Sequence, residues 1–213
     1  MATLPTPQDF KSIEITSTFP GTSVVTDTGK MYRLNFDGHY FSIQVTYPPM
    51  ERNETRQVTG FLQSKKGALT EFDCPLDIYS DTSGARATLS EPPVPDLIVS
   101  TPLGVGTSII PYLSSWSNVY YDYNTDGNLI NIGDYITFSG HKKVYQITEI
   151  TNPSSSGAGE VEISPPLQVQ VNTTEVINVM GVTMLVFQDG KTMTYSTGIK
   201  GFSELAFNFR EDV

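Results

Sequence analysis

The stretch from residue 42 to residue 73 constrains the fold most, because it holds the one convincing helical pattern in the chain. Alternating apolar residues lead into it and stop at Pro48-Pro49, which lack the amide hydrogens that a strand needs. Apolar residues then recur at spacings of three and four, at Val58, Phe61 and Leu62. We therefore predict a helix over residues 50–65, with Gly67 as its C′ residue, in a chain that otherwise forms β-structure.

The pair Asp37-Gly38 predicts a β-hairpin, because this dipeptide suits the type I′ turn. Alternating apolar residues flank it on both sides, from Tyr32 to Tyr47. A two-residue turn pairs Leu34 with Phe41 and places both apolar sets on one face. We expect the helix to cover that face.

The middle of the chain differs in composition from its ends. Residues 82–95 are small, polar and proline-rich, which indicates a linker. Short β patterns follow, separated by turn-rich pieces, and they predict a small barrel or sandwich. These patterns cover residues 97–99, 118–123, 135–138, 144–150, 160–163 and 167–171.

The last forty residues again show the pattern of the first eighty, in which alternating apolar residues flank an Asp-Gly turn. Asp189-Gly190 predicts a second hairpin, with its return strand at residues 193–195, and residues 205–209 alternate in a final strand. Because the two ends are alike and the middle differs, we predict a mainly β protein with one short α-helix and two domains. A discontinuous outer domain comprises residues 1–84 and 181–213, and residues 85–180 form an inserted small β-barrel.

The charge balance excludes several classes of partner. The chain of 213 residues carries 13 Lys and Arg against 23 Asp and Glu, a formal charge of −10, which argues against nucleic acid and against anionic membrane surfaces. We expect no membrane insertion, because no stretch approaches the roughly 18 apolar residues that span a bilayer. We also expect no secretion signal at the N-terminus. The single cysteine, Cys74, excludes an internal disulfide and is expected to be buried.

One short motif resembles a calcium loop. Asp122, Asn124 and Asp126 occupy the positions of the first three oxygen ligands, and Gly127 follows them as the loop requires. The bidentate glutamate of the twelfth position is replaced by Gly133. The motif is therefore either an Asx-rich β-turn or a calcium site, and we expect no other metal and no cofactor.

The aromatic cluster of Trp116, Tyr120, Tyr121 and Tyr123 has two possible roles, core packing or a contact surface, with Trp116, Tyr120 and Tyr121 as the contact candidates for a protein or a sugar. The two histidines, His39 and His141, have no neighbour at metal-ligand spacing, and we expect both in turns or on the surface. The chain lacks the G-x-S-x-G elbow of an acyl-transfer serine. These observations predict a protein without catalytic residues.

Several stretches carry a resemblance to a known family. The strand that ends in Tyr47-Pro48-Pro49-Met50, with the sequence that follows up to Asp73, resembles the N-terminal domain of bacteriophage distal tail proteins. Residues 132–148 look like the inserted module of the same proteins, and residues 201–210 are similar to their closing strand.

The resemblance implies a ring-forming adaptor at the tip of a phage tail. In that family a β-sandwich-like outer domain builds a six-fold ring, and an inserted small barrel, sometimes of oligonucleotide-binding (OB) shape, decorates the outside. The implied partners are further copies of the chain, the tail tube protein, and baseplate hub and fibre proteins. The implied setting is the virion, assembled in the cytoplasm of the host bacterium and used for host attachment.

A ring needs heterologous contacts, in which one surface meets a different surface of the next copy. We expect residues 43–47 and 205–209 to be free sheet edges that pair across subunits, with Val45, Tyr47 and Phe207 at the interface. Residues 1–11 contain two proline breaks and are expected to be an arm that becomes ordered only against a neighbour.

Two other classes of function stay open. In the alternative reading, the protein is a carbohydrate-binding receptor-recognition module at the tail tip, and Trp116 with the nearby tyrosines contacts the sugar. The third reading is an enzyme that degrades the cell wall.

Overall fold

The computed structural model describes residues 2–7, 9–35, 38–76, 97–114, 130–151, 158–190 and 203–212. Within these ranges the protein is mainly β, with one α-helix. It divides into two compact units, one of residues 1–72 and 186–213 and the other of residues 73–185. The sequence predicts domain boundaries after residue 84 and before residue 181. In the structure the two boundaries lie between residues 72 and 73 and between residues 185 and 186, and each falls within a β-strand.

The discontinuous unit contains most of a five-stranded sheet and a separate hairpin. Its elements are β1 (Ser12–Thr18), β2 (Gly21–Val25), β3 (Met31–Asn35), β4 (Tyr40–Thr46), α1 (Arg52–Ser64), a 3₁₀ turn (Gly67–Leu69), β5 (Phe72–Pro75), and, near the end of the chain, β12 (Thr183–Gln188) and β13 (Ala206–Glu211). The strand order of the sheet is β1-β4-β13-β12-β5. Strands β5 and β12 are the two through which the chain passes between units.

The expectation that residues 43–47 and 205–209 are free edges is wrong. Strand β4 pairs with β1 on one side and with β13 on the other, so that Ile43 lies opposite both Ile15 and Phe209. The backbone groups of β4 and β13 are therefore used inside the sheet. The proposed interface residues Val45, Tyr47 and Phe207 are all buried, so they contact the core of their own chain.

The predicted hairpin at Asp37-Gly38 is also wrong. Strand β3 pairs with β2, and the register places Tyr32 opposite Val24. Because β1 and β13 occupy both sides of β4, no edge of β4 is left for β3. Long-range pairing therefore outweighs the local turn signal, although Gly38 does adopt a positive φ of 116°.

The predicted helix is confirmed, and α1 begins and ends within two residues of the predicted limits. The Glu51 amide donates a hydrogen bond to the Glu54 carboxylate at 2.9 Å, which satisfies an amide at the helix N-terminus. Val58 and Leu62 are fully buried, as their spacing predicts. The prediction for the C′ residue is wrong by one position, because Lys66 already has a left-handed φ of 56°.

Aromatic side chains join the helix to the sheet. Phe61 of α1 packs edge-on against Phe72, with ring centroids 5.4 Å apart. Phe72 packs in the same way against Phe209 of β13, at 5.3 Å. The helix thus covers the sheet rather than the predicted hairpin.

The expectation that residues 1–11 become ordered only against a neighbouring molecule is wrong. Leu4 and Phe10 are buried. The Tyr47 hydroxyl donates a hydrogen bond to the Pro5 carbonyl at 2.9 Å, and the Phe10 ring packs edge-on against the Tyr47 ring at 5.1 Å. Their own chain therefore orders them.

The second unit contains a closed six-stranded barrel, which confirms the barrel prediction. Its strands are β6 (Leu97–Val99), β7 (Ile109–Ser114), β8 (Tyr135–Phe138), β9 (Tyr145–Thr151), β10 (Ala158–Ser164) and β11 (Val176–Asn178), in the closed order β10-β7-β6-β11-β8-β9. Fifteen buried residues of the described part of the chain fill its interior, among them Tyr112, Phe138 and Tyr145. Cys74 is buried in this unit as predicted.

The barrel strands were predicted unevenly. Strands β6 and β8 have the predicted limits, and β9 and β10 are shifted by one or two residues. Residues 167–171 do not form a strand, because only Val171 bridges to Leu103. Strands β7 and β11 were missed, and β7 contains Pro111, which disguises its pattern. The linker at 82–95, the pattern at 118–123 and the return strand at 193–195 lie outside the described residues.

Candidate subunit interface

The hairpin of β2 and β3 is the clearest candidate for an interaction surface. Among the described strands, these two pair only with each other. A short turn connects them, in which the Thr26 amide donates to the Lys30 carbonyl at 2.9 Å and the Gly29 amide donates to the Thr26 carbonyl at 2.8 Å. The positive φ of Gly29, 77°, explains why glycine suits this position.

The hairpin exposes apolar side chains on both faces. Val24 and Tyr32 lie directly opposite each other and share one face with Leu34, and these three are 55%, 52% and 61% exposed. Val25 and Met31 form the corresponding pair on the other face and are also more than half exposed. A two-stranded hairpin is marginally stable in water unless a further surface covers it. An exposed apolar patch of this kind marks a protein contact.

The charge of the hairpin is opposite to that of the chain. Residues 21–35 contain Lys30, Arg33 and one acidic residue, Asp27, a net charge of +1, whereas the whole chain carries −10. The long basic side chains lie along the hairpin, and the Lys30 Nζ atom is 5.3 Å from the centroid of the Tyr32 ring. The hairpin is therefore attracted to acidic surfaces, and another copy of this chain is one.

A buried histidine holds the base of the hairpin, so the expectation of a turn or surface role for His39 is wrong. A hydrogen bond of 2.8 Å joins His39 Nε2 to Ser17 Oγ. The imidazole ring also contacts the rings of Phe19 and Phe41, each with a centroid distance of 4.5 Å. Ser17 lies near the end of β1 and Phe19 lies between β1 and β2, so these contacts orient the hairpin.

A cavity of about 380 Å³ lies beside this base. The Arg210 guanidinium lies over the Tyr40 ring, 3.6 Å from its centroid. The buried carboxylate of Glu211 accepts a hydrogen bond from the Phe41 amide at 3.0 Å. The hairpin therefore joins a region of the sheet that packing and hydrogen bonds make rigid.

The second unit has one further site of interest, the loop of residues 139–142 between β8 and β9. It lines a cavity of about 390 Å³ together with Asn178, Met180, Gly181 and Thr183. His141 of this loop is only partly exposed, and its burial lowers its pKa below the ordinary value of 6.5. The expectation that His141 lies in a turn is confirmed, and within that turn its side chain is partly buried.

The predicted site residues fall into two groups. Val45, Tyr47 and Phe207 lie in the core. The calcium candidates Asp122, Asn124 and Asp126 lie outside the described residues, as do Trp116, Tyr120 and Tyr121.

The described ranges contain neither a metal-binding cluster nor a membrane-spanning helix. There, no three His, Cys, Asp or Glu residues are grouped to hold a metal ion. Nor does any described helix have the length and apolar character needed to cross a membrane.

Sequence reasoning missed the hairpin because it assigned Tyr32 and Leu34 to a covered face. The available signal was the pair of short runs 21–25 and 31–35, separated by the polar turn Thr-Asp-Thr-Gly-Lys. Neither the family models nor the curated proteins contain a match to this chain.

Proposed function

We propose that this protein is a structural, non-enzymatic subunit of a bacteriophage tail. It forms a distal-tail or baseplate ring that joins the tail tube to hub and fibre proteins in the virion. The observation that carries the proposal is the uncovered hairpin of β2 and β3, whose apolar side chains need a partner surface. The resemblance of residues 47–73, 132–148 and 201–210 to distal tail proteins supplies the setting.

The chain organisation supports the same assignment. One unit is built from both ends of the chain, and a closed barrel lies between them in the sequence, as in the family that the chain resembles. In the proposal, the discontinuous unit is the sandwich-like ring domain, and the barrel is the OB-like inserted module. The ring contains several copies of the chain, six by the family's symmetry.

The hairpin suits a ring better than a two-fold dimer. It presents an apolar surface with a net charge of +1, whereas the whole chain carries −10. A hairpin that binds a different surface of the next copy makes a heterologous contact, and such contacts close into rings. The outer strands of the five-stranded sheet are β1 and β5. Their backbone groups are the ones with which a strand of the hairpin of another copy would pair.

The assembly state of the purified protein tests the proposal. Light scattering should give a mass that is a multiple of the 23.4 kDa monomer, and negative-stain images should show closed rings with a central hole. A chain that stays monomeric at every concentration, both alone and mixed with its tail tube protein, contradicts a ring. Glycan binding that is lost in Trp116→Ala would then support the carbohydrate-binding alternative.

A matched pair of variants tests the role of the hairpin. Leu34 is 61% exposed on the hairpin, and Leu69, after the helix, is 81% exposed. Burying a leucine side chain contributes about 1.5–3 kcal/mol, so Leu34→Ser should weaken each contact by about 1–2 kcal/mol, or roughly tenfold. Leu69→Ser should leave assembly unchanged. Equal assembly of both variants would remove the hairpin from the interface.

A further inference from the structure

The loop of residues 139–142 contains a histidine whose ring nitrogens have no hydrogen-bond partner. The His141 ring packs near Phe138 and Tyr145, with centroid distances of 5.4 and 5.7 Å. Both Nδ1 and Nε2 are shielded from solvent, and neither makes a hydrogen bond within the described part of the chain. A neutral imidazole tolerates this site better than a charged one, because an imidazolium has two N–H groups that need acceptors.

The charged groups around the ring do not compensate for this lack of acceptors. Burial is the largest effect on the pKa of His141 and lowers it, the Glu175 carboxylate raises it, and the Lys143 ammonium lowers it. Glu175 is already engaged, since Oε2 accepts from the Gly140 amide at 3.2 Å and Oε1 from the Asn172 amide at 2.9 Å. His141 is therefore neutral at pH 7.

The neighbouring charged groups are similarly committed. The Lys142 Nζ atom lies 3.7 Å from the buried Asp73 Oδ1, in the same unit of the protein. Lys143 is itself buried. Neither lysine offers an acceptor to an imidazolium, so protonation of the ring inside the closed loop is unfavourable.

Few hydrogen bonds hold the loop closed. Among the described residues, the Ser139 amide donates to the Val176 carbonyl at 3.0 Å, the Val176 amide donates to Ser139 Oγ at 3.1 Å, and the Gly140 amide donates to Glu175, which directly precedes β11. The β8 and β9 ladder pairs residues that precede and follow the loop. The loop is therefore able to open while the barrel stays closed.

We propose that the loop of residues 139–142 is a pH-sensitive latch on the adjacent cavity, closed while His141 is neutral and opened when a solvent proton binds its ring. On opening, the imidazolium moves into water, where both N–H groups find acceptors. Lys142 leaves Asp73 at the same time, and the cavity of about 390 Å³ loses one of its walls. This device goes beyond the proposed tail function and does not depend on it.

The unaltered protein provides the first test, because it has only two histidines. The imidazole resonances in a pH titration by NMR, assigned with the variant His39→Gln, should show that the pKa of His141 lies below 6.5. Hydrogen exchange should show that the protection factors of the Gly140 and His141 amides fall by up to about tenfold for each pH unit between 6.5 and that lower pKa. Amides of the β9–β10 ladder should keep their protection.

Two variants separate the latch from a general loosening of the barrel. His141→Phe keeps a ring between Phe138 and Tyr145 but does not titrate, so the protection of Gly140 should become independent of pH. Glu175→Gln removes the carboxylate that stabilises the imidazolium inside the closed loop and weakens the bond to the Gly140 amide, so the pKa of His141 should fall further and the loop should open more readily at acid pH. A His141 pKa at or above 6.5, or a titration that leaves loop protection unchanged, would overturn the proposal.

Discussion

The substitution Gly159→Ala tests the packing of the barrel most directly. Gly159 of β10 lies opposite Tyr112 of β7, whose side chain is buried in the barrel. A Cβ atom at position 159 would lie 2.6 Å from the Tyr112 hydroxyl oxygen, 2.8 Å from Cζ and 3.1 Å from Cε1. These contacts are shorter than van der Waals distances, and the buried ring has little room to move. The tyrosine therefore requires a glycine at this position.

The expected cost follows from the overpacking of a dense core. Inserting a methyl group into such a site destabilises a protein by about 1–3 kcal/mol. Without the clash, Gly→Ala stabilises by about 0.4–1 kcal/mol, because alanine restricts the unfolded chain. The effect of Gly159→Ala should therefore change sign when Tyr112→Ala removes the ring. Gly60→Ala, on the exposed face of α1 with open space at its Cβ position, should stabilise the protein in both backgrounds.

A double-mutant cycle measures this coupling. Urea unfolding of the unaltered protein, the two single variants and the double variant should give an interaction free energy of about 1.5–4 kcal/mol between positions 159 and 112. If Gly159→Ala has the same effect with and without the Tyr112 ring, the argument that the ring excludes a side chain at position 159 fails.

The remaining predictions concern the helix and pH. Glu54→Ala removes the acceptor of the Glu51 amide and should lower the free energy of unfolding by about 1 kcal/mol, whereas Glu54→Gln keeps an acceptor and should lose less; equal losses in thermal unfolding would contradict the role of this hydrogen bond. Because the pKa of His141 is lower in the folded state than the unfolded value of 6.5, the unfolded chain binds more protons, so stability should fall as the pH falls from 6.5 toward the folded pKa. His141→Phe should remove this part of the pH dependence, and an unchanged slope in denaturant midpoints across that window would contradict it.

Sequence patterns correctly predicted the secondary-structure elements that depend on the spacing of nearby residues. The helix followed from the spacing of Val58, Phe61 and Leu62, because one buried face of a helix repeats every three to four residues. Strands β6 and β8 followed from short apolar runs between turn residues. The division into a discontinuous unit and a barrel also has a counterpart in the sequence, since composition changes along the chain.

Only the tertiary structure decided which strands are neighbours. The pattern around Asp37-Gly38 is locally consistent with a hairpin, but β1 and β13 occupy both sides of β4, and β3 pairs with β2 instead. An alternating strand looks the same whether it is central or at an edge, since its side chains and not its backbone partners produce the pattern. This is why the predicted edges proved to be interior and the exposed hairpin was missed.

Burial of single polar residues depends in the same way on distant parts of the chain. His39 is enclosed by residues on both sides of the β2–β3 hairpin, and His141 lies in a loop that Glu175 fastens from 35 residues away. No residue near either histidine in the sequence predicts these contacts. Local periodicity therefore determined what kinds of element this protein forms, and long-range pairing determined which of their surfaces are left for a partner.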